Sequence, residues 1–204
     1  MTAVWTPVAL SRDLPSLGVM PVCVDGMDVA LWRNASGRLA AWSDRCPHRG
    51  MRLSHGFVRG EALSCIYHGW SYGSQGNCLR IPAHPDLVPP DAIRVPVFHA
   101  VEAGGVIWVA PYAIDALPPT FEGVALRSLT VEAAVDWTAA GFSVSGLVAR
   151  GLLGGVAVTI MIQFLPAGRM ALHVLADATA SQVELTKASR ALEALRRQAE
   201  GIAV

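Results

Sequence analysis

From Val19 to Val109 the chain alternates short apolar runs with Gly, Asn and Asp. Val19–Val24 and Met27–Arg33 flank Asp25-Gly26, a strong hairpin turn signal. Asn34-Ala35-Ser36-Gly37 separates the second run from Leu39–Trp42 in the same way. Gly56–Val58 and Ala62–Ser64 pair across Arg59-Gly60-Glu61, and Ser71-Tyr72 leads through a Gly-rich turn to Cys78–Arg80. After an irregular excursion over Pro82–Pro90, the segments Arg94–Val97, His99–Glu102 and Val106–Val109 read as further strands. Many short strands at close spacing predict a small antiparallel barrel or sandwich.

The pattern changes after Pro111. Pro111–Gly123, with Pro118-Pro119, reads as a connection, and the organisation predicted is one domain over 1–112, a linker over 113–127 and a second domain over 128–204. In the second domain Leu129–Val135 reads as a strand, and Val156–Phe164 and Met170–Leu175 as a hairpin across Pro166–Arg169. Ser181 is placed to cap a helix whose apolar positions Leu185, Ala188, Leu192, Leu195 and Ala199 recur every three to four residues. The fold class is therefore mainly β plus α+β: a β-barrel or sandwich, then a small sheet with one long C-terminal helix.

At 204 residues and 52% hydrophobic content, the chain can bury a real core. Formal net charge is zero, with ten basic and ten acidic residues through Arg127 and six of each after it. Neither half has the basic footprint of nucleic-acid binding. Met1–Pro7 lacks a basic region followed by an apolar run, and Leu152–Leu165 is too short to cross a bilayer, so a cytoplasmic protein without membrane attachment is expected. That apolar run reads as core, with a subunit interface or hydrophobic pocket as the sharper alternative.

Candidate chemistry concentrates between Asp44 and Trp70. Cys46-Pro47-His48-Arg49-Gly50 and Cys65-Ile66-Tyr67-His68-Gly69-Trp70 each offer one thiolate and one imidazole, and the sixteen residues between His48 and Cys65 suffice for a hairpin that brings the halves together. Two Cys and two His suit an iron–sulfur centre; structural zinc is the alternative, although zinc fingers pair like ligands at close spacing whereas each loop here mixes them. Two of the four cysteines lie in this pattern, which favours a reducing compartment and leaves Cys23 and Cys78 as packed thiols. Arg45, Arg49, Arg52 and Arg59 surround the loops, either solvated and locally paired or forming a docking patch for an acidic redox partner.

These loops closely resemble the Rieske [2Fe–2S] domain of ring-hydroxylating oxygenases. The resemblance extends to Trp32-Arg33, Gly37-Arg38-Leu39, Asp44-Arg45, Leu53-Ser54, Gly56, Gly76-Asn77-Cys78 and Ile81-Pro82, and covers roughly residues 4–110. Ile66 departs from the Pro frequent at its position. The resemblance implies Cys46 and Cys65 on one iron and His48 and His68 on the other, surrounded by Gly50, Met51, Tyr67, Gly69 and Trp70. High-potential Rieske proteins carry a disulfide between the loops and a hydroxyl beside the second His. Met51, Tyr67 and Trp70 stand here instead, which implies few hydrogen bonds to sulfur and a potential near the low end of the Rieske range, roughly −150 mV. That suits electrons from an NAD(P)H-dependent reductase or ferredoxin.

The second half resembles, more weakly, a shortened helix-grip catalytic domain. An oxygenase of this family holds a mononuclear iron with two His and one carboxylate. Asp136–Gly146, the corresponding stretch, contains no His, and His173 is the only one after Pro111. His173 reads as structural, as do His84 and His99, while His55 faces solvent. The leading expectation is a Rieske redox protein passing single electrons to a separate oxygenase catalytic subunit, with no mononuclear iron of its own. The alternatives are an oxygenase subunit whose iron is unusual or completed by another chain, and a non-catalytic subunit that senses redox state or binds a ligand. Related oxygenases often form trimers, so a homo-oligomer is compatible with each.

Overall fold

A computed structural model describes residues 4–202. Its strands are β1 (Thr6–Leu10), β2 (Val19–Val24), β3 (Met27–Arg33), β4 (Leu39–Ser43), β5 (Phe57–Arg59), β6 (Ala62–Ser64), β7 (Ser71–Gly73), β8 (Cys78–Arg80), β9 (Val97–Ala103), β10 (Val106–Ala110), β11 (Val124–Val131), β12 (Ser143–Ser145), β13 (Val148–Leu153), β14 (Val156–Phe164) and β15 (Met170–Ala176). One long helix, α1 (Gln182–Ala199), follows. The chain divides into two compact units, and neither is one continuous segment. Of the described residues, the first comprises 4–6, 14–102 and 108–117; the second comprises 7–13, 103–107 and 118–202.

In the first unit, residues 108–110 of β10, residues 97–102 of β9, and then β4, β3 and β2 are neighbours in that order in one sheet, and β5-β6-β7-β8 form a second. The β2–β3 hairpin closes at Asp25-Gly26 with Val24 opposite Met27, as the turn chemistry predicted. Arg94 is not part of a strand run. It bridges Asn77 alone, while Val95 donates to the Gly76 carbonyl. A core of Ala30, Trp32, Trp42, Leu53, Val58, Leu63, Tyr72, Cys78, Ile81 and Val95 fills this unit and encloses Cys46 and Cys65.

The second unit is an antiparallel sheet ordered β11-β15-β14-β13-β12, with α1 on one face. Val156, Val158, Ile160 and Ile162 alternate along β14 and pack with Leu172 and Val174 of β15 against Ala188, Leu192 and Leu195. These side chains meet in a continuous core, so the Leu152–Leu165 run is mainly packing, with Leu152 and Phe164 exposed. Pro7–Asp13 is stitched into the same unit. Arg12 donates to the Ala125 carbonyl at 2.7 Å and to that of Leu126, and Ser11 N–H donates to Gly105 O.

The reading of Leu129–Val135 as a strand is corrected at both ends. Pairing with β15 begins at Val124, and a bulge between Ala125 and Arg127 breaks the two-residue alternation that would have marked it. It ends at Val131 because the Glu132 N–H is taken by the Glu200 carboxylate. Three strands gave no clear signal: β1, the three-residue exposed β12, and β13. Gly151 interrupts β13 in sequence because the Phe142 ring lies over it, where a Cβ would come within 2.7 Å of ring carbon.

Candidate metal centre

Two loops of the first unit share one backbone plan. Cys46 N–H donates to Met51 O at 2.8 Å and Gly50 N–H donates back to Cys46 O at 2.8 Å. Cys65 N–H donates to Trp70 O at 2.9 Å and Gly69 N–H donates back to Cys65 O at 3.0 Å. Each loop thus closes over six residues, and each needs its fifth residue at positive φ, 72° at Gly50 and 69° at Gly69. A side chain costs about 1–2 kcal/mol in that conformation, which is why glycine stands at both places.

The twin loops sort their donors by environment. Cys46 and Cys65 are 3% and 1% exposed and point into the apolar core. His48 is half-buried and His68 exposed, with ring centroids 4.6 Å apart. Trp70 stacks flat on His48 at 4.4 Å and 4°, and Tyr67 lies 3.9 Å from His68, so each imidazole is held against an aromatic ring. The sequence-predicted ligands are therefore brought together as a thiol pair inside and an imidazole pair outside. Gly50, Met51, Tyr67, Gly69 and Trp70 all lie on the same two loops.

The donor set fits an iron–sulfur cluster. Burial pushes the Cys65 thiol up, and the adjacent Cys46 adds to that, so thiolates here call for bound positive charge. Burial first, then His68 and Arg49, lower the proton affinity of His48, which favours the neutral imidazole a metal takes. A pair of sulfurs and a separate pair of nitrogens is the division a two-iron cluster of mixed ligation uses. None of the four cysteines is in a disulfide. Cys78 is buried among the same apolar residues, and Cys23 is half-buried.

Two contributions were missed in the sequence. The Tyr72 hydroxyl lies 3.1 Å from Cys46 Sγ, one hydrogen bond to sulfur whose partner the sequence did not name. Tyr72 stands on β7, four residues past His68, and its ring meets Trp42 edge-on at 6.2 Å; as a buried strand residue it carried no signal of chemistry. The other is Asp44. Its buried carboxylate accepts from Ser54 N–H at 2.7 Å and Ser54 Oγ at 2.6 Å, and pairs with Arg52 at 3.4 Å, fixing both ends of the first loop.

In the second unit His173 is buried. Its Nδ1 lies 2.9 Å from Ser128 Oγ and its Nε2 3.3 Å from the Gln163 side chain. Ser128 in turn donates to Asp13 at 2.6 Å. That arrangement fits the structural reading of His173. His55, His84 and His99 are exposed.

Small antiparallel β structure with twin Cys/His loops defines the class of iron–sulfur domains with mixed ligands. Residues 4–99 match the family model of the Rieske [2Fe–2S] domain, and the chain carries a Rieske [2Fe–2S] domain. It is 47% identical over 105 residues to oxidoreductase NdmD of Pseudomonas putida, covering 51% of this chain and 18% of that protein. It is 39% identical over 111 residues to 4beta-methylsterol monooxygenase of Methylococcus capsulatus, covering 52% and 30%. The chain thus spans less than a third of the length of these relatives. Apo dicamba monooxygenase superposes with a TM-score of 0.75 over 97% of this chain and 85% of that one at 17% identity, and NdmA of P. putida CBB5 with 0.68 over 96% and 78% at 19%. These likenesses extend the shared fold through the second unit. Among the described residues no helix is long and apolar enough to cross a membrane.

Proposed function

We propose that this chain is a one-electron carrier of the Rieske oxygenase group, with Cys46, His48, Cys65 and His68 holding the cluster and a separate oxygenase component receiving the electron. The observation that carries this is the pairing of buried thiols with outward-facing imidazoles on twin loops. The cluster, when bound, supplies reversible one-electron chemistry. The protein's own residues do the rest. Cys46 and Cys65 keep the sulfur side in an apolar core, and Tyr72 donates a hydrogen bond to Cys46 Sγ that stabilises negative charge there. Trp70 and Tyr67 hold the two imidazoles, and the exposed edge of His68 shortens the path to a partner.

Electrons would enter from an NAD(P)H-dependent reductase or ferredoxin. In this reading the second unit is a reduced helix-grip-like domain without a mononuclear iron, since His173 is the sole His after Pro111 and its ring is engaged by Ser128 and Gln163. Purified protein is expected to hold about two irons and two acid-labile sulfides per chain with a Rieske-type spin resonance signal. Four-ligand zinc without sulfide would overturn the cluster. The whole-chain fold shared with dicamba monooxygenase favours one rival, an oxygenase completed by another chain. A reproducible third iron, or oxygen consumption with an aromatic substrate and no other oxygenase component, would decide for it.

A further inference from the structure

Four arginines lie along the cluster loops, and the structure separates them. Arg52 is spent locally, with its guanidinium 2.7 Å from Asp28 and 3.4 Å from Asp44. Arg59 lies over its own strand neighbour, 4.6 Å from the centroid of the Phe57 ring. Arg45 and Arg49 are exposed and make no ion pair among the described residues. Both belong to the cluster edge. Arg45 Nη1 reaches over Gly50, at 3.5 Å from where a Cβ would stand, and Arg49 directly follows His48.

The acidic residues of the same stretch do not offset them. Between Asp44 and Trp70 there are two, Asp44 and Glu61. Asp44 is buried against Ser54 and Arg52. Glu61 accepts from Asn34 Nδ2 at 2.5 Å, Ser36 N–H at 3.0 Å and Ser36 Oγ at 2.9 Å on the far turn of the β5–β6 hairpin. Within the two loops Arg45 and Arg49 are therefore left without an ion-pair partner, while the exposed Asp86 and Asp91 stand on the following loop, whose Pro82 lies beside Gly69. Beside the two arginines the second loop turns apolar side chains to solvent, Ile66 at 58% and Tyr67 at 53% exposure. An exposed apolar centre with a cationic rim is the anatomy of an electrostatically steered interface, in which contact area is small and charge sets the encounter rate.

We propose that His68, Ile66 and Tyr67 form the contact patch for an acidic one-electron redox protein, and that Arg45 and Arg49 steer it there. This rests on the electron-carrier reading above. The step is a single electron passing from the partner's reduced centre, which is oxidised, to the cluster of this chain, which is reduced; no bond forms or breaks.

The test is stopped-flow electron exchange of the cluster-loaded full chain with an acidic plant-type ferredoxin as reductant, and with a basic cytochrome c as an oxidant of opposite charge. The second-order rate with the ferredoxin is expected to fall about tenfold or more as salt rises from about 20 mM to about 500 mM, and the rate with the cytochrome to rise. The double variant Arg45→Gln/Arg49→Gln, with its cluster absorbance intact, is expected to react about tenfold more slowly with the ferredoxin at low salt and to lose most of the salt dependence. Arg59→Gln should match the wild type. The proposal is overturned if the double variant matches the wild-type rate, or if the ferredoxin rate rises with salt, as it would were Asp86 and Asp91 on the following loop to dominate. It is equally overturned if the double variant changes the oligomeric mass in place of the exchange rate, which would assign the patch to a second copy of this chain. Wild-type protein without a two-iron cluster would be a different failure, removing the electron-carrier reading and the docking patch with it.

Discussion

A single hydroxyl sets much of the character of the cluster site. The Tyr72 hydroxyl and Cys46 Sγ meet at 3.1 Å beside a fully buried ring, so the bond is made in low dielectric, and with the sulfur bound to iron the hydroxyl would be its donor. It favours the more electron-rich, reduced state. Tyr72→Phe is expected to fold and keep its cluster while the midpoint potential falls by on the order of 40 mV, the one-electron equivalent of a hydrogen bond of about 1 kcal/mol. Spectroelectrochemical titration of both proteins checks this, and an unchanged potential would refute it. His173 makes a second residue-scale case. Burial lowers its proton affinity from the ordinary 6.5 to about 4, with Asp13 opposing the shift. The folded chain therefore binds fewer protons than the unfolded chain between these values. Stability is complete above pH 6.5 and is lost as the pH falls towards 4, by on the order of 3 kcal/mol in total. Urea unfolding across that range should show the slope, and His173→Gln should flatten it.

Elements succeed here through their ends. The capping box at α1 is complete: Ser181 Oγ accepts from Glu184 N–H, and the Glu184 carboxylate accepts from Ser181 N–H at 2.8 Å. Ser181→Ala is expected to cost about 1 kcal/mol in denaturant unfolding and to leave the cluster absorbance unchanged. Gly69 gives the contrasting case. Alanine there would meet positive φ and the Pro82 ring at 3.0 Å together, so Gly69→Ala should cost about 1–2 kcal/mol or more and lower the iron content measured after purification. A variant with full iron loading would show that the second loop tolerates the strain. The elements that were legible had clean signals: a hairpin with Asp25-Gly26 at its turn, and a helix with Ser181 at its cap and apolar positions recurring every three to four residues. Those that were not had their signal broken by a local feature, such as the bulge in β11 or the aromatic ring over Gly151 in β13.

At the scale of the molecule, the four ligand candidates could be read because chemistry confines them to two short stretches with fixed neighbours. Tyr72 and the Asp44–Ser54 bonds could not, because their roles depend on side chains brought together across the fold. The same holds for the four arginines, whose charges look equivalent in sequence and differ only in what they touch. The segmented make-up of the second unit was equally hidden, since nothing in Pro7–Asp13 announces that Arg12 and Asp13 will bond to β11 and its neighbours. That stitching has a consequence for how the protein is made. On the ribosome Arg12 emerges first and its acceptors at Ala125 and Leu126 more than a hundred residues later. At roughly 10 residues per second the segment waits on the order of ten seconds for its partners. Residues 118–204 synthesised alone should accordingly melt at lower temperature than the same unit within the full chain, and a peptide of residues 4–13 supplied separately should raise that temperature, giving a split protein whose two pieces find each other.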